Sequence, residues 1–441
     1  MGRSGHRLTA VLLVPGILAG LLAGGARAAH PNHSIAPRPP PPTEYGLVLH
    51  RESDARFRGL DAQPPLGIAP VDVTDLKQQL SVLGSFDDAR IAPLLQIAER
   101  YRDAGRHVDA LDYFERAAYQ QRLLFGLRSA QQLPTQEAVF ASQLALGRLD
   151  LADQTREHVL FLERQAQLDP EDRLRALRRY SEWKRQLYLA GEGYETYRYL
   201  VAMWHAHDDE VERLAAIDPQ HPAQIPHLQE RLRLEYLISR YEGEKPRPVT
   251  VHTSGGLGTD YTLHTDLAAE EFRVLRKHNY RNGRRAAERI IALLDASPVP
   301  DARALAAAYI AAGDWHLWCD QKAPALASYR RAWSVYAGDG DPATAPADLF
   351  PAPVALPAGD VFFVDGVVAQ AERPGRARVS FDVSRLGGAR QVEVLEVEPA
   401  ASRGARAAIY RMLRQMRFRP VLRDGEPVDA GRVSRVYRFD Y

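Results

Sequence analysis

Four histidines stand near one another at His205, His207, His221 and His227, beside Asp208, Asp209 and Glu210. A bound divalent metal needs three or four such side chains converging on one point. Histidines two apart on a helix point to different faces, so His205 and His207 do not ligate one ion from a helix. This pattern reads as a solvated polar helix end. Gly255-Gly256-Leu257-Gly258 has the glycines of a phosphate loop, but no Lys-Ser/Thr follows and no strand–helix setting surrounds it. Cys319 is the single cysteine. It lies beside Trp318 in a helical pattern with no matched histidine, the setting of a buried structural thiol rather than a nucleophile. No G-x-S-x-G, H-E-x-x-H or cysteine pair occurs. The expectation is a non-enzymatic chain, with no catalytic residues, no metal site and no cofactor.

Aromatic residues supply the other candidate chemistry. Trp183, Tyr188, Tyr194, Tyr197, Tyr199 and Trp204 crowd the helical stretch Leu174–Ala206. They would line a ligand-binding concave face or fill an irregular helix stack, and filling is the favoured reading. A catalytic site, if there were one, would have to sit there or in the Pro246–Asp260 loop. The 57 basic and 56 acidic side chains nearly cancel, so the chain as a whole is no polyanion binder. Locally the balance differs. The last 41 residues hold ten arginines against four acids, a surface for acidic peptides, anionic lipids or wall polymers, or simply a solvated face.

The elements that must carry these residues begin after an export signal. Arg3, His6 and Arg7 precede an apolar run, Leu8–Ala23, that closes on Ala26-Arg27-Ala28, an A-x-A cleavage pattern. Residues 1–28 therefore read as a signal peptide, and no cysteine near the cleavage site would carry a lipoprotein anchor. The apolar run is short for a membrane span of roughly 20 residues. An uncleaved inner-membrane anchor is the alternative. The one cysteine fits large domains that need no disulfides in an oxidising compartment. Residues 29–86 form a proline-rich lead-in, with Pro39–Pro42 consecutive and one short helix at Val73–Leu83.

Helical periodicity governs 87–245. Leu94, Ile97, Ala98 and Tyr101 repeat at helical spacing, as do Ala110, Phe114 and Ala117, and Asp103-Ala104-Gly105-Arg106 between them reads as a turn. The unit is a helical hairpin in which Ala98 and Ala110 allow close approach while Tyr101 and Phe114 fill the groove. A second copy fits Val139–Val159, with Gly147 in the turn and Ala152 at the small position. The extra length between copies is assigned to a helical extension, Tyr119–Leu127. A third fits Leu305–Trp333, carrying Gly313, Ala325, Tyr329 and Ala332. A weaker helix pair is placed around Phe272–Leu294. This spacing resembles the tetratricopeptide repeat, a helix–turn–helix unit of roughly 34 residues with small and aromatic side chains at these offsets. Residues 246–262 read as a loop, 263–337 as a second helical region and 338–358 as a Pro/Ala/Asp-rich linker.

From 359 to 441 the period changes to two. Ala377, Val379, Phe381 and Val383 alternate with Arg378, Ser380, Asp382 and Ser384. Leu386-Gly387-Gly388 supplies a hairpin turn, and a second strand at Arg390–Val397 slips at Val394-Leu395, as at a bulge. A helix over Ser402–Met416 has one apolar stripe through Ala405, Ile409, Met412 and Met416. Strands at Phe418–Leu422 and Val433–Tyr441 flank the Asp424-Gly425 turn. The predicted fold is therefore mostly α, with tetratricopeptide-like hairpins followed by a small α+β domain in the order β-β-α-β-β.

Val379-Ser380-Phe381-Asp382-Val383 with Gly387-Gly388, then Met416-Arg417-Phe418-Arg419-Pro420 and Asp424-Gly425-Glu426-Pro427-Val428, resemble the TonB C-terminal domain family. That resemblance covers about the last 80 residues. In that family the domain adds a strand to a short peptide of an outer-membrane receptor, and an inner-membrane anchor links it to a motor. Here the N-terminal segment reads as cleavable, and helical repeats replace the long spacer. The implied function is a periplasmic adaptor of a Gram-negative envelope: the helices bind one protein, and the C-terminal sheet captures an extended segment of another by strand addition. The candidate edge is Val433, Arg435, Val436, Tyr437, Arg438 and Phe439. Expected partners are other envelope proteins, an outer-membrane receptor peptide among them, with neither nucleic acid nor stable membrane insertion. Deleting 359–441 is expected to leave the helical part folded. The alternative is a membrane-anchored, TonB-like energy transducer.

Overall fold

A computed structural model describes residues 42–43, 46–47, 71–190, 195–243, 267–337, 349–358, 374–400 and 404–440. The predicted signal, most of the lead-in, the 246–262 loop and residues 359–373 lie outside them. A minimal hairpin pairs β1 (Pro42–Thr43) with β2 (Gly46–Leu47). The short helix α1 (Thr74–Val82) then leads into α2 (Ile91–Asp103) and α3 (His107–Phe125).

The α2–α3 hairpin follows from its residue types. Leu94, Ile97, Ala98 and Tyr101 fall on one face of α2 and are buried; Ala110, Leu111, Phe114 and Ala117 answer them from α3. At the turn the Arg106 N–H donates to the Tyr101 carbonyl at 2.8 Å, and Gly105 takes a φ of 73°. That left-handed position is the C-cap that costs a glycine least. The same closure recurs between α4 (Leu133–Ala145) and α5 (Leu149–Gln165), where Gly147 has a φ of 66° and the Arg148 N–H reaches Gln143 O at 2.9 Å. It recurs again between α10 (Ala302–Trp318) and α11 (Lys322–Ala337), with Asp320 at a φ of 60° in the glycine's place. Helix α3 runs on to Phe125, so most of the predicted extension is helical.

The aromatic stretch folds as α6 (Pro170–Ala190) and α7 (Tyr197–Ile217), followed by α8 (Gln224–Ser239). Trp183, Tyr188 and Tyr197 are buried, so these rings are filling rather than a ligand face, while Tyr199 and Trp204 pack half-buried against the core. Tyr194 lies outside the described residues. The pair expected around Phe272–Leu294 is instead one helix, α9 (Leu267–Asp295), and its packing partner is α8. Its sequence holds no turn, and Gly283 within it marks a close approach. A Cβ built there would lie 2.3 Å from Trp315 Cε2. Gly313 plays the same part against Tyr329, at 2.4 Å from Cε1. Alanine at either position is expected to lower stability by about 1–3 kcal/mol through overpacking, despite gaining roughly 1 kcal/mol in helix propensity. Urea unfolding of each variant checks this; an unchanged or raised midpoint would refute the close-packing account.

Consecutive pairs α2/α3, α4/α5, α6/α7, α8/α9 and α10/α11 thus stack into an array of helix pairs. The junction of α5 with α6 is unusually polar. Lys184, 3% exposed, sits between Asp153 at 2.7 Å and Glu157 at 2.6 Å, whose oxygens also accept from Trp183 Nε1 and Tyr180 Oη.

Beyond the array, β3 (Val354–Ala355) pairs with β6 (Phe418–Arg419). Strands β4 (Pro374–Val383) and β5 (Ala389–Glu398) form an antiparallel hairpin. They are followed by α12 (Ala405–Gln415), a small hairpin of β7 (Val421–Arg423) and β8 (Glu426–Val428), and the long β9 (Ala430–Asp440). The main sheet has the order β5-β4-β9. Ala377, Val379, Phe381 and Val383 of β4 bury one face against Ala405, Ile409 and Leu413 of α12. The half after the helix is more broken than the two strands expected: Phe418–Arg419 leave the sheet to pair with β3, and Pro420, without an N–H, interrupts the run.

Candidate interaction surfaces

The histidines do not form a solvated helix end. His207 and His227 are buried at 0% and 1% exposure, and their Nδ1 atoms stand 3.0 Å apart. One ring must donate and the other accept, and burial disfavours a charge on either. His207 Nε2 completes its bonding with Ser181 Oγ at 2.9 Å. Burial, then His227 itself and the guanidiniums of Arg231 and Arg178, push His207 down to about 3. Burial also brings His227 down to about 4, against the opposing pull of Glu210. His221 turns to the backbone instead, its Nδ1 accepting from the Ala223 N–H at the start of α8. His205 faces Glu271 at 3.2 Å. Among the described residues no three His, Cys, Asp or Glu converge as a metal site would require.

A buried acid clamps α7, α8 and α9 together. Glu235 accepts from Trp204 Nε1 at 2.8 Å and from Asn279 Nδ2 at 2.6 Å, and burial raises its carboxyl to about 7. Cys319 is half-buried, its thiol pushed up to about 12 by burial and by nearby Glu235, so little thiolate forms.

The C-terminal module is not a tethered bead. Phe350, Leu356 and Leu422 share one core with Ala306, Leu317, Tyr329 and Ala332 of the last helix pair. Arg419 grips Asp314 with two parallel bonds, Nε–Oδ1 at 2.9 Å and Nη2–Oδ2 at 2.5 Å, and Tyr329 Oη donates to the same carboxylate at 2.9 Å. The side chains of this pair are 15% and 7% exposed. Outside it, Arg330 meets Glu426 and Arg417 meets Asp320. Gly387, with a φ of 78°, leaves no room for a side chain: a Cβ would lie 2.5 Å from Phe418 O and 2.7 Å from Leu317 Cδ2. Deleting 359–441 would therefore strip part of the core of α10 and α11, contrary to the expectation of a freely removable domain.

The two edges of the main sheet differ. Strand β5 is disrupted by register shifts at Arg378/Val379 and Ser380/Asp382 of its partner; Leu395 falls in the first, where the sequence predicts a slip. Arg406 Nη1 further caps the Val394 carbonyl at 2.6 Å. Strand β9 pairs with β4 without a shift from Val433 to Asp440, and among the described residues it takes no second ladder partner, although β2 passes within 8 Å of it. Of the candidate edge residues, Val436 is exposed, Val433 and Arg435 are half-buried, and Arg435 Nη2 donates to Pro353 O at 2.8 Å. Tyr437 points into the core, so a partner would meet only its backbone. Arg438 and Phe439 pair with Arg376 and Gly375 of β4.

The repeat-signature residues Ala98, Tyr101, Ala110, Phe114, Ala325, Tyr329 and Ala332 are all buried. The Asp314–Arg419 lock and the Lys184 cluster carry no sequence signal as pairs. Asp314 and Arg419 are 105 residues apart, and neither stands out among many charged neighbours.

No family model matches the chain, and no curated protein matches it. Among solved structures, it is similar to a putative kinesin light chain from Podosopora anserina with nearly identical TPR-like repeats, at 17% identity and a TM-score of 0.27, over 48% of this chain and 84% of that one. A single-substitution form of that protein matches at 13% identity and a TM-score of 0.30, over 57% and 96% of the two chains. BtubC (BKLC) from P. vanneervenii matches at 14% identity and a TM-score of 0.28, over 61% and 89%.

Proposed function

We propose that this chain is a non-catalytic, periplasmic protein–protein interaction scaffold of a Gram-negative envelope. Its helical array holds one partner, and the edge of its C-terminal sheet captures an extended segment of another, as the resemblance to the TonB C-terminal domain implies. The carrying observation is the contrast between the two edges. Strand β5 is bulged and capped, as edges protected against pairing are, whereas β9 keeps an unshifted ladder from Val433 to Asp440. Strand addition draws its affinity from main-chain hydrogen bonds, which a buried Tyr437 does not obstruct.

The test places a photo-crosslinking residue in turn at Val433, Ser434, Arg435 and Val436 of the full-length protein in Gram-negative cells. Strand addition gives crosslinks to one extended segment of an envelope protein, with an intensity that alternates from position to position. Proline at an outward-facing N–H of this run is expected to weaken capture by about tenfold or more, since it removes a ladder donor. Crosslinks without alternation, or capture indifferent to every proline, would refute the edge. Recovery of the chain in the cytoplasm would refute the compartment.

A further inference from the structure

Strand β9 gives one flank to β4 from Val433 to Asp440, and its other flank has no ladder partner among the described residues. A long, regular row of free N–H and C=O groups invites unwanted pairing, and folded proteins break such edges up or cover them. Strand β5, at the opposite border of the sheet, is broken up by register shifts. The β9 flank is regular, so it calls for a cover.

The strand that comes alongside is β2. Gly46–Leu47 lies within 8 Å of β9, and among the described residues neither β4 nor β5 is approached to the same degree. Neighbouring strands of one sheet stand about 4.8 Å apart, whereas strands stacked face to face stand about 10 Å apart. The approach therefore sets β2 along the β9 flank rather than across the sheet face. Its hairpin with β1 has only two pairs, Pro42 with Leu47 and Thr43 with Gly46. So small a hairpin is not stable alone in water and needs a sheet to lean on. The local sequence suits the role: Tyr45-Gly46-Leu47-Val48-Leu49 is an apolar, proline-free run directly beyond Pro39–Pro42.

We propose that the lead-in around Gly46–Leu47 is the resident strand of the β9 edge, held there by its own chain, and that an outside segment enters only by displacing it. The displacement half of this inference rests on the strand capture proposed above. With β2 in place the strand order becomes β5-β4-β9-β2-β1, and the new border is the strand that begins at Pro42. Pro39–Pro42 have no N–H to give a further strand, so the added hairpin closes the sheet instead of passing the open edge on. No ladder bond joins β2 to β9 among the described residues, so the occupant is weakly held and can leave. A tethered segment still competes at an effective concentration of about a millimolar, which sets a threshold for any outside partner.

Disulfide trapping in the full-length protein tests the occupant. In a Cys319→Ala background, Gly46→Cys or Leu47→Cys is combined in turn with Ser434→Cys, Val436→Cys and Arg438→Cys. A disulfide needs Cα atoms within about 7 Å, so at least one pair should oxidise within the monomer, while Leu47→Cys with Glu393→Cys on β5 should not. Deleting residues 42–50 should then raise photo-crosslinking of an outside envelope segment at Val436 by about fivefold or more, because the resident competitor is gone. Disulfides formed only between two chains would overturn the assignment to the same chain. No disulfide in any pair, or capture unchanged by the deletion, would overturn the inference as a whole. A monomer disulfide with no outside segment captured by either form would support the resident strand and remove the capture reading, so the two fail separately.

Discussion

Replacing Arg419 with leucine is expected to cost about 3–5 kcal/mol of stability, because it leaves the Asp314 carboxylate buried without its cation. Burial works against the charge of Arg419, and the carboxylate of Asp314 beside it outweighs that penalty, so the guanidinium is held firmly ionised. Two parallel charge-assisted bonds and the Tyr329 hydroxyl fix the carboxylate in place. The double variant Asp314→Leu with Arg419→Leu should recover much of the loss, since it removes both desolvated charges together. Urea unfolding of the two single variants and the double variant gives the coupling directly; additive losses would show that the pair is not a unit. Hydrogen exchange adds a spatial readout. Arg419→Leu, and more strongly deletion of 359–441, should deprotect α10 and α11 while leaving α2 and α3 protected. Uniform protection after the deletion would mean that Leu422 and the Arg419–Asp314 pair contribute little to α10 and α11. This lock joins the C-terminal module to the last helix pair of the array.

His227→Asn is expected to make the protein more resistant to acid, by roughly 2 kcal/mol relative to the native chain as the pH falls from 7 to 4.5. Both histidines have folded values, about 3 and about 4, below the unfolded value of 6.5. The unfolded chain therefore binds more protons in this window. Stability from the neutral pair is complete above pH 6.5 and is lost as the pH falls toward 4. Asparagine keeps a polar atom near the position of Nδ1 and removes one titrating ring. Glu235 acts in the opposite direction. Its carboxyl sits at about 7 against 4.5 unfolded, so the folded chain binds the extra proton and stability declines as the pH rises through that range. The native profile is a sum of these opposed slopes, and the informative quantity is the difference between variant and native chain at each pH. A difference independent of pH would refute the assignment to His227.

Local rules placed most of the helices. Tyr101, Gly105, Ala110 and Phe114 specify a hairpin within 14 residues, because the 3.6-residue period and a left-handed glycine are properties of adjacent residues. The period-two run from Ala377 to Val383 was legible for the same reason, and so was the slip near Leu395. The helix pair expected around Phe272–Leu294 did not survive, and Gly283 shows why such a stretch is ambiguous. A glycine within a helical pattern has two meanings, and only Trp315, on another helix, decides between a break and a close approach.

The amino-acid sequence by itself determined the α-hairpin and β-hairpin units, the small and aromatic residues that pack them, and the arginine excess near the C-terminus. Tertiary structure alone decided what meets what. It joined Arg419 to Asp314, His207 to His227, and Phe350 and Leu356 to the last helix pair. Periodicity fixes which face of an element is apolar, whereas the partner of a buried charge depends on how whole elements stack. Many charged residues satisfy the same local pattern, so that choice has no local signature. For the same reason the difference between the two sheet edges emerged only once the β4–β5 register shifts and the Arg406 cap were in place.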